Sequence, residues 1–163
     1  NLNINEYRRV DASHHLSSYE FILPIWRNET GIPSWSPFGE WKAARGQPNP
    51  GGLQLPWYQA YNASKHDRHA EFKQANLQNL VLAVGGLLIL ISSQFEGQDF
   101  SAGAMGITAS GYDPFPMEAA IGSLFRIQYP QDWSENEIYD FDWARLKTQE
   151  HRFDKFDYDA IPV

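Results

Sequence analysis

The longest run of apolar positions is Leu80–Ile91, twelve residues counting Gly85 and Gly86. It sits inside Leu77–Phe95, whose middle is apolar nearly all round, the pattern of a central helix covered on several sides. A bilayer span needs about twenty apolar residues, so the run reads as a core helix and not as a membrane anchor. Upstream, Leu53–Lys65 reads as helix. The polar stretch between the two contains Asp67 and Asn76, residue types that cap helix starts, and a break is expected near His66–Asp67 or at Asn76. Nearer the start, Asp11 is placed to cap a first helix running through about Leu23. Leu16, Tyr19 and Leu23 would lie on one face, with Pro24 near the end.

Other segments carry different patterns. Residues 31–52 hold nine Gly or Pro and read as loop, with Trp35, Phe38 and Trp41 available to pin it onto the core. Residues 97–116 read as a second Gly/Pro-rich connection. Phe125, Ile127 and Tyr129 alternate with Arg126 and Gln128, and Tyr139–Trp143 alternates in the same way, which predicts two short strands. No internal repeat is apparent. The fold expected is mainly α, a helical bundle around a central buried helix at about 76–95, with a small two-stranded β element near 124–143. The chain reads as one globular domain over 1–163.

Composition agrees with a packed domain. Of 163 residues, 42% are hydrophobic, 15% aromatic and 20% charged, which is globular rather than disordered. The absence of cysteine removes disulfides, thiolate nucleophiles and Cys-based metal sites and favours a reducing, cytoplasmic setting. Secretion stays open, since the numbering begins at Asn1 rather than Met, and Asn28-Glu29-Thr30 and Asn62-Ala63-Ser64 match the glycosylation sequon. The net charge of −7 is concentrated late in the chain: residues 131–159 hold nine acids against four bases. A nonspecific nucleic-acid coat protein would be basic, so any polyanion contact must be local.

The densest local candidate is the polar stretch from Tyr61 to His69. On a helix, a 100° step places Asn62, Lys65, His66, His69 and Lys73 on one face, and Trp57, Tyr61, Arg68 and Phe72 on a neighbouring aromatic one. Such a surface suits an anion such as phosphate, and a histidine there can transfer protons near neutral pH. The same residues serve equally well as helix caps and ion pairs.

Asn62, Lys65 and His66, in the order Asn-x-x-Lys-His and followed by a capped Ala/Leu-rich helix, resemble the HEPN superfamily of helical bundles over about Leu53–Phe95. Active members of that family are metal-independent ribonucleases of toxin and defence systems. They carry an Arg, often a polar residue after it, then a His, and two subunits bring these motifs together. The resemblance implies His66 and Asn62 as catalytic residues, Lys65, Arg68, His69 and Tyr61 as phosphate contacts, and no cofactor or metal; the shortness of the apolar run implies no membrane. It implies RNA or a protein as partner, and a homodimer. Tyr61 stands where the arginine belongs, so transition-state charge would fall to Lys65 or Arg68. A second reading is a non-catalytic helical interaction module acting through a protein partner or homodimer, with the aromatic loops docking that partner.

Alternatives are thinner. Arg8 and Arg9 precede His14 and His15, and Arg145 precedes His151, at similar spacing; a pattern this loose arises roughly 0.7 times by chance, and His14 and His15 remain a second-choice site. His66 and His69 with Asp67 and Glu71 nearby lack an identifiable third metal ligand. No glycine-rich phosphate loop and no Gly-x-Ser-x-Gly elbow is present.

Overall fold

The long first helix that the Leu16, Tyr19 and Leu23 spacing predicts does not form. In the computed structural model, which describes residues 4–45, 54–95, 117–120, 124–133, 148 and 157–161, α1 (Ile4–Tyr7) passes through a 3-10 turn into α2 (Asp11–His14). The chain then leaves helix at His15, whose φ of 49° is left-handed. A second 3-10 turn at Leu16–Ser18 leads into strand β1 (Glu20–Ile22). Asp11 supplies the reason. Its side chain, only 1% exposed, does not cap a helix. It accepts hydrogen bonds from the Ser17 backbone N–H at 2.7 Å, the Ser17 hydroxyl at 2.9 Å and Arg45 Nε at 3.2 Å. A continuous helix would carry Ser17 about 9 Å up the axis from Asp11, out of reach, so the buried carboxylate and the helix are mutually exclusive.

Strands β1, β2 (Ser34–Trp35), β3 (Glu118–Ala120) and β4 (Phe125–Gln128) make one antiparallel sheet in the order β2-β1-β4-β3. Phe21 is opposite Trp35 on one side and Ile127 on the other. The alternation at 125–129 thus marks a true strand, with Phe125 and Ile127 facing the core. Its neighbours are β1 and β3; the expected partner at 139–143 lies outside the described residues, as does the connection at 97–116. Of the loop expected at 31–52, residues 31–45 are described, and they hold β2 and a 3-10 helix at Gly39–Ala44. Phe38 and Trp41 are buried and do pin it to the core.

Both expected helix breaks occur. α3 (Pro56–His66) opens with proline at its first position and stops before Asp67, whose carboxylate accepts from the Ala70 N–H at 2.9 Å. α4 (Leu77–Phe95) follows Asn76, whose side-chain oxygen accepts from the Asn79 N–H at 3.0 Å. α3 packs on α4. The described residues are mainly helical, and the core lies where Val81, Leu88 and Ile89 of α4 meet Phe21, Phe125 and Ile127 of the sheet.

α4 is not enclosed all round, which corrects the expectation for Leu80–Ile91. Val81, Gly85, Gly86, Leu88 and Ile89 are buried, but Leu77, Leu80 and Leu87 are 61%, 59% and 57% exposed, with Val84 also open. Uniform hydrophobicity does not encode which side is covered; the sheet and α3 cover one side only. With 19 residues and a mean hydropathy of 1.6, α4 is also long and apolar enough to cross a membrane by length and composition.

The two glycines of α4 act differently. A Cβ at Gly85 would overlap the Phe21 ring, so glycine lets the helix lie directly on β1; at Gly86 it would meet Phe38 and Trp57 at an ordinary 3.5 Å. Gly85→Ala is expected to destabilise by about 1–3 kcal/mol through overpacking. Gly86→Ala is expected to stabilise by about 0.5–1 kcal/mol through helix propensity. Urea unfolding of both variants checks this; equal effects would mean that α4 does not sit on Phe21.

Candidate functional site

The polar residues singled out from sequence lie at the end of α3 and just beyond it. Asn62 is half-buried, while Lys65, His66, Arg68 and His69 are exposed. Because Asp67 ends the helix, the face expected to run from Asn62 to Lys73 stops at His66. Arg68 and His69 belong to the following turn, and Arg68 and Phe72 do not continue the aromatic face of Trp57 and Tyr61. Asn62 and His66 do share one side of α3, one helical turn apart. Among the described residues no group of three or more His, Asp or Glu is gathered as a metal site.

The aromatic face of α3 leads somewhere more structured. Trp57, Tyr58 and Tyr61 form one wall of a pocket of about 440 Å³. Tyr7, Phe38 and Trp41 add three more rings, and Ala83 and Leu90 of α4 close the far side. Phe38 and Trp41 are buried at its floor, and Tyr7 and Tyr61 are half-exposed at its mouth. Trp57 is held by donation from its Nε1 to the Pro37 carbonyl at 2.8 Å. Among the described residues no charged side chain lines the cavity. Lys65, four residues on from Tyr61, holds its Nζ 5.7 Å from the Tyr61 ring centroid, within cation–π range. A pocket of this size with apolar walls falls in the range that holds small organic ligands.

A second polar centre surrounds Arg45. Its Nε donates to Asp11, Nη1 to His15 Nδ1 at 2.8 Å and to Asp132 at 2.9 Å, and Nη2 to the hydroxyls of Ser17 at 2.6 Å and Ser18 at 2.9 Å. Those contacts use all five N–H groups of a guanidinium, leaving none for a substrate. His15 Nδ1 accepts from Arg45 and so has no proton to give Asp132, whose Oδ1 lies 3.4 Å away. The His15 ring stacks on Trp133 at 5.6 Å with an interplanar angle of 9°. His14 contacts Ser13 Oγ at 2.7 Å, and Ser13 in turn meets the Tyr158 hydroxyl at 2.8 Å. The second-choice histidines are therefore tied into a structural knot. Arg9 pairs with Asp159 at 3.3 Å. Sequence reading missed Arg45 and Asp132 because nothing local marks either residue.

Comparison with protein-family models, with curated proteins and with solved structures found no match.

Two groups of the knot set a pH response. Burial holds the His14 imidazole below its ordinary value, aided by neighbouring His15 and opposed by a hydrogen bond to the Val10 backbone. Partial burial pushes the Asp132 carboxyl up, but the Ser18 hydroxyl and the charge and hydrogen bond of Arg45 outweigh it and bring it down to about 2. For His14 the unfolded chain takes up the proton first, so stability falls as pH drops below about 6.5. For Asp132 the stabilisation is present above about 4 and is lost as pH falls towards 2. Denaturant midpoints measured from pH 7.5 to 2.5 should show both declines. His14→Asn should flatten the first and Asp132→Asn the second. Unchanged profiles in the variants would remove these groups from the linkage.

Proposed function

We propose that this chain is a non-catalytic helical interaction module that pairs with a second copy of itself across α4. The observation that carries the reading is the outward stripe Leu77, Leu80, Val84 and Leu87. Its 3-4-3 spacing is that of a seam between two helices, and it lies on a helix without a single charged residue. Contiguous exposed apolar surface of this kind marks an interaction site. A membrane-surface helix would carry Lys or Arg on its polar face, and α4 has none. Its opposite side is already committed to Phe21 and the sheet. In the pair, α4 would lie between its own sheet and the partner's α4, as the central helix of a helical bundle.

A metal-independent, HEPN-like ribonuclease in a toxin or defence setting is a second reading. It is favoured by Asn62 and His66 sharing the open face of α3 with Lys65 beside them. Support for it is weaker, because Tyr61 stands in the arginine position and belongs to the pocket mouth.

Sedimentation of the purified chain at tens of micromolar should give a dimer. Leu80→Glu with Leu87→Glu should give a monomer of unchanged helix content, since both side chains are outward and charge on a seam costs association rather than folding. A monomeric wild type, or a double variant that remains dimeric, would contradict pairing through α4. Flotation of the wild type with anionic vesicles, lost in the same variant, would reassign the stripe to a membrane. Metal-independent cleavage of labelled RNA that disappears in His66→Ala would make the second reading the better one.

A further inference from the structure

The pocket between α3 and α4 has a composition that specifies more than general stickiness. Six rings face it, from Tyr7, Phe38, Trp41, Trp57, Tyr58 and Tyr61. Offset and edge-to-face contacts with such walls favour a flat ring system over a flexible chain. Within the pocket the protein already uses this geometry: Phe38 meets Trp57 edge-on at 6.1 Å, and Trp57 meets Tyr58 edge-on at 6.0 Å. Among the described residues no charged or amide side chain lines the cavity, so a charge carried deep into it finds no partner among them and its entry is disfavoured. At the mouth the situation reverses. Lys65 stands over the Tyr61 ring with its ammonium in solvent, where it can meet an anionic group projecting from a ligand whose apolar part is inside.

We infer that this pocket binds a small aromatic acid: a fused-ring apolar body enclosed by Phe38, Trp41 and Trp57, with one carboxylate or similar anion at the mouth beside Lys65. The selection has two parts. The ring walls provide most of the affinity through burial of apolar surface. Lys65 provides the preference for an anionic over a cationic head, modest because the pair is exposed. The inference does not depend on pairing through α4. Ala83 and Leu90, which line the pocket, follow Leu80 and Leu87 by three residues, so the cavity borders the stripe along one side of α4.

The test uses three probes that share one ring system, 1-pyrenecarboxylate, 1-pyrenemethanol and 1-pyrenemethylammonium, and follows quenching of tryptophan emission. It is run on the full chain carrying Leu80→Gln and Leu87→Gln, so that the stripe offers no apolar site and no charge is added beside the pocket. Saturable binding is expected, with the carboxylate preferred over the ammonium by roughly five- to ten-fold. Lys65→Gln should weaken the carboxylate about three-fold and leave the alcohol unchanged. Ala83→Trp fills the cavity from α4, and Val10→Trp fills it from the opposite wall. Either should weaken all three probes about ten-fold or more, with circular dichroism confirming the fold of whichever variant is used. Undiminished binding in both filled variants would place the site elsewhere. Equal affinity for carboxylate and ammonium in the Lys65 protein would overturn the anionic head group. Absence of saturable binding by any probe would overturn the pocket itself.

Discussion

Asp11 and Arg45 are separated by 34 residues and meet in a pair whose carboxylate side chain is 2% exposed and whose guanidinium side chain is 17% exposed. The desolvation penalty of such a pair is met only when the remaining donors and acceptors are satisfied. Here they are: Asp11 takes two further hydrogen bonds from Ser17, and Arg45 spends its other N–H groups on His15, Ser17, Ser18 and Asp132. Removing one partner of a buried pair typically costs about 3–5 kcal/mol, because the other charge is stranded. The knot also arranges the binding surfaces. Val10 and Leu16, which flank Asp11 in the chain, and Phe38 and Trp41, shortly before Arg45, line the same pocket. The pair ties these two stretches of chain together. The left-handed turn at His15, an uncommon conformation for a side chain with a Cβ, is the local consequence of folding Ser17 back onto Asp11.

The second constraint is the contact of Gly85 with Phe21. It sets the rotation of α4 about its own axis, because only the side bearing Gly85 can approach β1 so closely. Once that side is against the sheet, the periodicity of the helix decides what faces outward, and the outward residues are again leucine and valine. An α4 built only to complete a monomer core would have polar residues there. The surplus of apolar surface is the reason for reading the helix as an interface.

Local signals in the sequence were sufficient for some elements. Asn76 and Asp67 mark the ends of α4 and α3 because a side-chain oxygen at those places bonds backbone N–H groups a few residues away. The alternation at Phe125 and Ile127 marks β4 because one face of a strand is buried. The aromatic face of Trp57 and Tyr61 was likewise legible from helical spacing, and it does line the pocket. What was not legible depends on distant partners. Asp11 looks like a helix cap until Arg45 is known to reach it, and β1 looks like the end of a helix until β4 lies beside it. Of the candidate site, Lys65 and Tyr61 were visible as neighbours on α3. The cavity they border was not, since its other walls come from Tyr7, Phe38, Trp41 and Ala83, on three separate stretches of chain.

The absence of cysteine from the chain allows pairing through α4 to be read directly. A single Val84→Cys, near the middle of the stripe, can carry one spin label per copy. Helices packed about 8–10 Å apart would bring two such labels, arms included, to roughly 20–30 Å of each other, and pulsed dipolar spectroscopy should report that distance as the dominant one. A signal without dipolar modulation at tens of micromolar, or with long distances only, would contradict an α4-to-α4 pair.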